Sequence, residues 1–261
     1  MCAGTLASLA ADGVKVTLVC ATRGEVGEIS DPALATPATL PQVREGELRC
    51  AAQAMGIGEP IFLNYRDSGM VGTPPNEHPD AFINADADAD EVVRTLVGII
   101  REVRPQVVIT FDETGGYGHP DHIMVWRQSH AAVEAAADAV RFPEAGTPWQ
   151  VGRIAYAVFP RSFFVQMRAK LVEIGQDTSE LDEFFERGIG FPDEQISAII
   201  DVSAFVAQKF AAIACHQTQF GGDNFFSRVG EEELRRMLSR EYFAFGWPVT
   251  EDGAVSNKLF P

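Results

Sequence analysis

No run of about 18 apolar residues occurs in this chain, so no segment reads as a membrane-spanning helix. Residues 1–20 lack the basic start and small-residue cleavage site of a secretion signal, which leaves a soluble protein as the expectation. Cations are scarce. Against 37 Asp and Glu stand only 21 Lys and Arg, a net charge of -16, and a phosphate-neutralising face for nucleic acid needs the opposite balance. The four cysteines, Cys2, Cys20, Cys50 and Cys215, form no C-x-x-C pair and lie in apolar runs. They are expected as buried free thiols in a reducing, cytoplasmic setting. There is no internal repeat and no low-complexity tract. Gly24 and Gly27 do not form G-x-G-x-x-G and precede no obvious helix, which argues against a dinucleotide site.

What is present is an ordinary globular composition, 46% hydrophobic and 22% charged over 261 residues. That length buries one large core, so a single domain over 1–261 is expected, with a core over 1–160 and a C-terminal elaboration over 161–261. Helices over about Thr5–Ala11, Pro41–Met55 and Asp88–Val103 each precede a short β-rich run: Val14–Cys20, Ile61–Leu63 and Gln106–Phe111. Alternating helices and apolar strands predict an α/β fold with a mostly parallel sheet in three layers. Val107–Phe111, apolar on both faces apart from Thr110, is expected as a central strand covered on each side. A helix over His119–Val140 and a strand over Arg153–Phe159 follow. Beyond them, a helix over Phe164–Ile174, an acidic segment over Asp177–Glu186, a strand over Ile196–Val202 and a helix over Ala204–Cys215 read as a C-terminal cap. Such sheets usually open on a strand that becomes central, yet this chain opens inside a helix, so a first strand is expected to be missing. The proline-rich stretch Gly69–Phe82 is long for a compact domain, and such loops are commonly functional or mobile.

The stretch Phe111-Asp112-Glu113-Thr114-Gly115-Gly116-Tyr117-Gly118-His119-Pro120-Asp121-His122 runs from a strand's C-terminal end through a glycine-rich turn into a helix. Ligands bind at this edge of open parallel sheets. Pro120 suits the first helical position, so His119 and His122 flank a helix N-terminus, whose positive dipole end disfavours imidazolium. Neutral imidazole is the form that ligates metal. His122 is thus a candidate metal ligand, His119 a polar catalytic group over the same cavity, and Asp121 a partner that sets the state of His119. An isolated H-x-x-H is more often a capping pair of surface histidines; the converging tyrosine and glycines at the ligand edge shift that balance.

Gly-Tyr-Gly-His-Pro-Asp-His after a strand resembles the distal signature of the LmbE-like, or PIG-L, N-acetylglucosaminyl deacetylase family. Thr22-Arg23-Gly24-Glu25 resembles its second motif, and Arg44-Glu45-Gly46-Glu47-Leu48 its R-x-x-E-L helix. Tyr65-Arg66-Asp67-Ser68-Gly69-Met70 resembles a loop that contacts sugar hydroxyls in the mycothiol-type branch. Cys215-His216-Gln217-Thr218-Gln219 is similar to the late H-x-[ST]-Q. The resemblance implies a Rossmann-like fold holding one Zn2+ and a hydrolase acting on a small N-acetylated amino sugar conjugate, with the acceptor left open among glucosaminyl-inositol, glucosaminyl-malate and chitin-like oligomers. Carried over, His122 is a zinc ligand, His119 the electrophile or general acid, Asp121 its modulator and Tyr117 an aid to the oxyanion or leaving group. Arg44 and Asp67 hold the polar head of the substrate. Neither nucleic acid nor membrane is an expected partner, and homo-oligomerisation stays open.

The departure is the family's His-Pro-Asp-Asp, which ends the first strand a few residues before Gly-Thr-Leu; here Gly4-Thr5-Leu6 follows Met1 almost at once. Two zinc ligands and the general-base carboxylate are therefore expected to be missing, and the chain to bind zinc weakly and be close to inactive. His78-Pro79-Asp80 reads as an ordinary loop turn, and His130 as a packed or surface residue. His216 divides evenly between supporting the site and satisfying carbonyls at a helix end. The competing readings are a metal-free sugar-binding pseudoenzyme and a Rossmann-like enzyme using a nucleotide or methyl donor.

Overall fold

The computed structural model describes residues 1–248 and 255–260, and of residues 86–89 the backbone alone. Helix α1 spans Ala3–Ala11, β1 Val19–Thr22, α2 Leu40–Ala54 and β2 Ile61–Tyr65. Next come α3 (Ala89–Val103), β3 (Val107–Thr110), the single turn α4 (Gly115–Gly118), α5 (Pro120–Ala137) and β4 (Arg153–Val158). The remainder comprises α6 (Arg161–Glu173), α7 (Ser179–Glu186), β5 (Ala198–Asp201), α8 (Val206–Cys215), three short helices α9 (Gln217–Phe220), α10 (Phe225–Arg228) and α11 (Glu231–Met237), and β6 (Arg240–Trp247). The α/β, Rossmann-like expectation stands, with differences in the sheet.

The strands form two sheets among the described residues: β1 with β2, and four strands in the order β3-β4-β6-β5. β1–β2 and β3–β4 are parallel, whereas β6 runs antiparallel to both β4 and β5. Among the named strands, parallel pairing is therefore confined to β1–β4. The expected central position of Val107–Phe111 is corrected. β3 stands at the edge of its sheet, and Val107, Val108 and Ile109 are only half-buried. The run Val14–Cys20 is also shortened, because pairing with β2 begins at Val19 opposite Ile61 and a strand needs a ladder partner. On the far side of β1 lies an apolar cavity of about 290 Å³ between the two sheets, walled by Val16, Val19, Leu96, Val107, Ile109 and Leu259. The pattern predicted a strand from Val14, but residues 14–18 have no ladder partner among the described residues.

Two packing units hold the site in place. On α3, Val92, Val93, Val97 and Ile100 recur at helical spacing and are buried. Val93, Val97 and Ile100 meet the small residues Ala132, Ala135 and Ala136 of α5, which let the helices approach closely, and Val92 packs with Met124 of α5 and Phe82. Arg101 then caps the far end of α5, donating to the carbonyls of Ala135 and Ala136 at 3.1 Å, Asp138 at 2.7 Å and Arg141 at 2.9 Å. A cation on those orphan carbonyls also suits the negative end of the helix dipole. The second unit is an aromatic cluster of α6, α7 and α10 around Phe163, Phe164, Leu171, Leu181 and Phe225.

The cysteine expectation is corrected for one pair. Cys50 on α2 and Cys215 at the end of α8 form a disulfide across 165 residues, with Cα atoms 5.7 Å apart. Two residues that far apart in sequence carry no local sign of meeting. Cys2 and Cys20 are free, and burial pushes the Cys20 thiol up to about 11.

Candidate active site

The site starts where β3 ends. Asp112, buried, accepts hydrogen bonds from Thr114 N at 2.8 Å, Thr114 Oγ1 at 2.6 Å and Gly116 N at 3.1 Å, folding the chain back into the one-turn α4. Gly115 turns with φ +64°, and a Cβ there would meet His122 Cβ at 2.7 Å. Only glycine admits both the left-handed backbone and the approaching ring. His119 occupies the N-cap of α5 with extended φ/ψ, and its Nδ1 accepts from Asp121 N at 3.2 Å. That bond places the neutral proton of His119 on Nε2.

The rings then converge. His119 and His122 have centroids 5.0 Å apart, and Tyr117 lies 5.1 Å from His122 and 6.1 Å from His119. His122 stacks on Phe111 at 4.0 Å with an interplanar angle of 10°. Its Nδ1 lies 3.0 Å from the Gly115 carbonyl, which accepts the Nδ1 proton and leaves Nε2 as the free lone pair. Burial drives His122 down to about 4, with His119 adding to the fall, and lowers His119 as well, opposed by Asp67. Both are neutral imidazoles at neutral pH.

Across from them stands the loop after β2. Asp67 Oδ1 lies 3.8 Å from His119 Nε2, both side chains being nearly buried. The carboxylate facing the ring is thus Asp67 rather than Asp121, whose own carboxylate accepts from Ser68 N at 3.2 Å. Asp67 is itself held by Gly69 N at 2.9 Å, while its backbone N–H donates to Glu25 Oε2 at 2.9 Å. Asp67, His119 and Asp121 each offer a ligand atom within 4.8 Å of the others. Asp121 Oδ1 is buried with no partner, and burial pushes the Asp121 carboxyl up to about 6.

Arg44 of α2 reaches the same region. Its Nη2 donates to the Glu28 carbonyl at 2.9 Å, and its guanidinium fills the space that side chains at Gly24 and Gly27 would need. Arg44 Nε is buried without a partner, and burial lowers its pKa against the pull of Asp67. All six site residues expected from the sequence are therefore brought to one region. Sequence reasoning missed Ser68, which holds Asp121; Asp112, which folds the glycine turn; and Arg187, which donates to the Tyr117 carbonyl at 3.2 Å. Asp-x-Thr before the glycines was the one available signal, as an Asx turn.

The remaining histidines lie elsewhere. His78 Nδ1 accepts from Asp80 N at 3.1 Å in a local turn, within a loop tied down by Asn76 and Asn84. His130 Nε2 pairs with the Tyr156 hydroxyl at 2.8 Å inside the α5–β4 packing. His216 joins α8 to α9 and makes no side-chain cap; it is half-buried near Glu47.

The profile described as "PIG-L: GlcNAc-PI de-N-acetylase" matches residues 1–136, just over half of the chain. A protein of Geodermatophilus obscurus named 1D-myo-inositol 2-acetamido-2-deoxy-alpha-D-glucopyranoside deacetylase is 41% identical over 250 residues, covering 92% of this chain and 84% of that protein. The equally named protein of Thermobispora bispora is 42% identical over 248 residues, covering 92% and 81%. Among solved structures, the N,N'-diacetylchitobiose deacetylase of Pyrococcus horikoshii superposes with TM-score 0.62 at 21% identity, covering 93% of this chain and 77% of that one. GalB, a 4-carboxy-2-hydroxymuconate hydratase of Pseudomonas putida, superposes with TM-score 0.61 at 18% identity over 96% and 92%. At such identities the two structures speak for the fold alone, and it hosts both a hydrolase and a hydratase.

Proposed function

We propose an activity from one premise: the chain belongs to the PIG-L family of GlcNAc-PI de-N-acetylases. The reading is a zinc-dependent amide hydrolase that removes acetate from a small N-acetylglucosamine conjugate, with a glucosaminyl-inositol as the first candidate, after the relatives' names. The observation that carries it is the buried, unpartnered Asp121 Oδ1 beside two neutral imidazoles. An orphaned carboxylate oxygen among nitrogen donors suits a divalent cation. His122 through Nε2 is the proposed metal ligand. The neighbouring donor group is Asp67, His119 and Asp121, whose ligand atoms lie within 4.8 Å of one another, and the His119 ring is 5.0 Å from that of His122. Bound there, zinc would acidify a water and polarise the acetamide carbonyl.

The side chains of this site divide the remaining work. Burial, with Asp67, keeps the Tyr117 phenol protonated well above neutral pH, so its O–H is a fixed donor for the developing oxyanion. His119 offers its Nε2 proton towards the same place, oriented by Asp67 and by the Asp121 backbone. Asp121, at about 6, changes protonation close to neutral and tunes the field on both rings. Arg44 and Asp67 present a cation and a carboxylate to the sugar hydroxyls.

His-Pro-Asp-Asp does not occur within these 261 residues, and this stretch taken alone is proposed to bind zinc weakly through its own donors. One domain in a cytoplasmic setting completes the proposal; the β5 and β6 ladders, which join residues after 161 to the core sheet, support the single domain. The competing metal-free sugar binder separates by experiment. With a strand ending in His-Pro-Asp-Asp fused ahead of Met1, zinc should raise the melting temperature and acetate release should appear, both lost in His122→Ala. No zinc response in the fused protein would overturn the hydrolase reading. Micromolar or tighter zinc binding by the unfused chain would overturn the weak-binding one.

A further inference from the structure

We propose that the Cys50–Cys215 disulfide is a site of thiol–disulfide exchange whose state sets the rigidity of the substrate-side loop. The two helices it joins also carry the site. α2 bears Arg44 two turns before Cys50 and Glu47 one turn before it, so all three share a stretch of one helix. Directly after Cys215 the chain is fastened to α2 a second time. Glu47, buried, accepts from Thr218 N and Thr218 Oγ1, each at 2.7 Å. From there a third fastening reaches the loop under Arg44: Ser30 N donates to the Thr218 carbonyl at 2.9 Å and Ser30 Oγ to the Gln217 carbonyl at 2.7 Å. Two residues earlier, the Glu28 carbonyl accepts from Arg44. The segment Cys215–Thr218 is thus a strap between the disulfide and the loop that seats the guanidinium.

Exposure marks which sulfur reacts. As residues, Cys50 is exposed and Cys215 half-buried, so the approach open to a small thiolate is from the Cys50 side, and the proposed attack is on its Sγ. A new S–S bond forms between that thiol and Cys50, the Cys50–Cys215 bond breaks, and Cys215 leaves as a thiolate that takes up the proton lost by the incoming thiol. A second thiolate then displaces Cys50, giving two protein thiols and one small-molecule disulfide. Accessible disulfides behave as labile sites, whereas structural ones are shielded from exchange. With the crosslink open, α2 and the strap are joined by the Glu47 bonds and apolar contacts alone, and the Ser30 loop opens more often.

Glutathione in millimolar excess over the native chain is the probe. Thiol titration should find two reactive cysteines under non-reducing denaturation and four after reduction, and peptide mapping of the trapped mixed disulfide should locate the adduct on Cys50. Hydrogen exchange at the Ser30 and Thr218 amides should accelerate by about tenfold on reduction, with α3 and α5 unchanged. Cys50→Ser/Cys215→Ser should show the fast exchange with or without glutathione. Four thiols before reduction, an adduct on Cys2 or Cys20, or unchanged exchange at Ser30 and Thr218 would each overturn the proposal. None of these readouts depends on turnover, so the result stands apart from the fate of the hydrolase reading.

Discussion

Two ionic groups in this molecule resemble each other in burial and differ in completeness. In the first, Lys209 and Glu241 meet at 2.8 Å with almost no exposed surface. Glu241 also accepts from Gly4 N at 2.9 Å and Thr5 N at 2.7 Å at the start of α1, and Lys209 donates to the Leu238 carbonyl at 3.0 Å. Every oxygen has a partner, and the carboxylate doubles as an anion at a helix N-terminus. The second group, Asp67, His119 and Asp121, leaves Asp121 Oδ1 unpaired and carries a carboxyl shifted to about 6. A satisfied buried charge fastens the fold. An unsatisfied one is held in readiness for something that is not protein.

The sharpest way to break that contrast is to remove one member of each group. Glu241→Ala strands a buried ammonium and two helix N–H groups, and should lower unfolding free energy by ~3–5 kcal/mol in urea titration. Asp121→Asn removes a buried carboxylate with an unpaired oxygen and should leave stability at neutral pH unchanged or higher. Equal losses would abolish the distinction between a structural and a functional cluster. A smaller effect comes from the turn beneath the histidines. Gly115→Ala forces a side chain into the left-handed region and against His122, and should cost ~1–3 kcal/mol by the same titration. A neutral result would mean that the turn does not constrain the His122 ring.

The same contrast can be read in pH, measured on metal-free protein. Asp121 is raised in the folded state, so its contribution to stability is present below 3.8 and is lost as pH rises through about 6. His122 is depressed, so its contribution is present above 6.5 and is lost as pH falls through about 4. The two oppose each other between pH 4 and 6. Asp121→Asn should therefore make the acid-side decline in stability steeper, and His122→Ala should make it shallower. Parallel pH profiles for the two variants would show that the groups are not perturbed as described.

Much of the site was legible because its signals are local. Pro120 after His119 marks a helix start, and the three-residue spacing to His122 brings both rings to that mouth. The glycines before them announced a turn, and the structure shows its positive φ at Gly115, Gly116 and Gly118. Ser68 escaped notice because a backbone N–H has no sequence signature, and its partner Asp121 lies 53 residues on. Asp67, expected on the substrate, also faces the His119 ring at 3.8 Å, a direction that a resemblance does not carry across.

The sequence by itself determined the longer helices α1, α2, α3, α5, α6 and α8 and where the chemistry-bearing turn sits, because a helix and its caps are written within a few residues of one another. Tertiary structure alone decided that β3 lies at an edge beside an apolar cavity, that β6 enters the sheet antiparallel, and that Cys50 meets Cys215. Each of those outcomes turns on contacts between residues far apart in the chain. A strand's position depends on what its neighbours leave unpaired, and a disulfide on where two helices bring their cysteines.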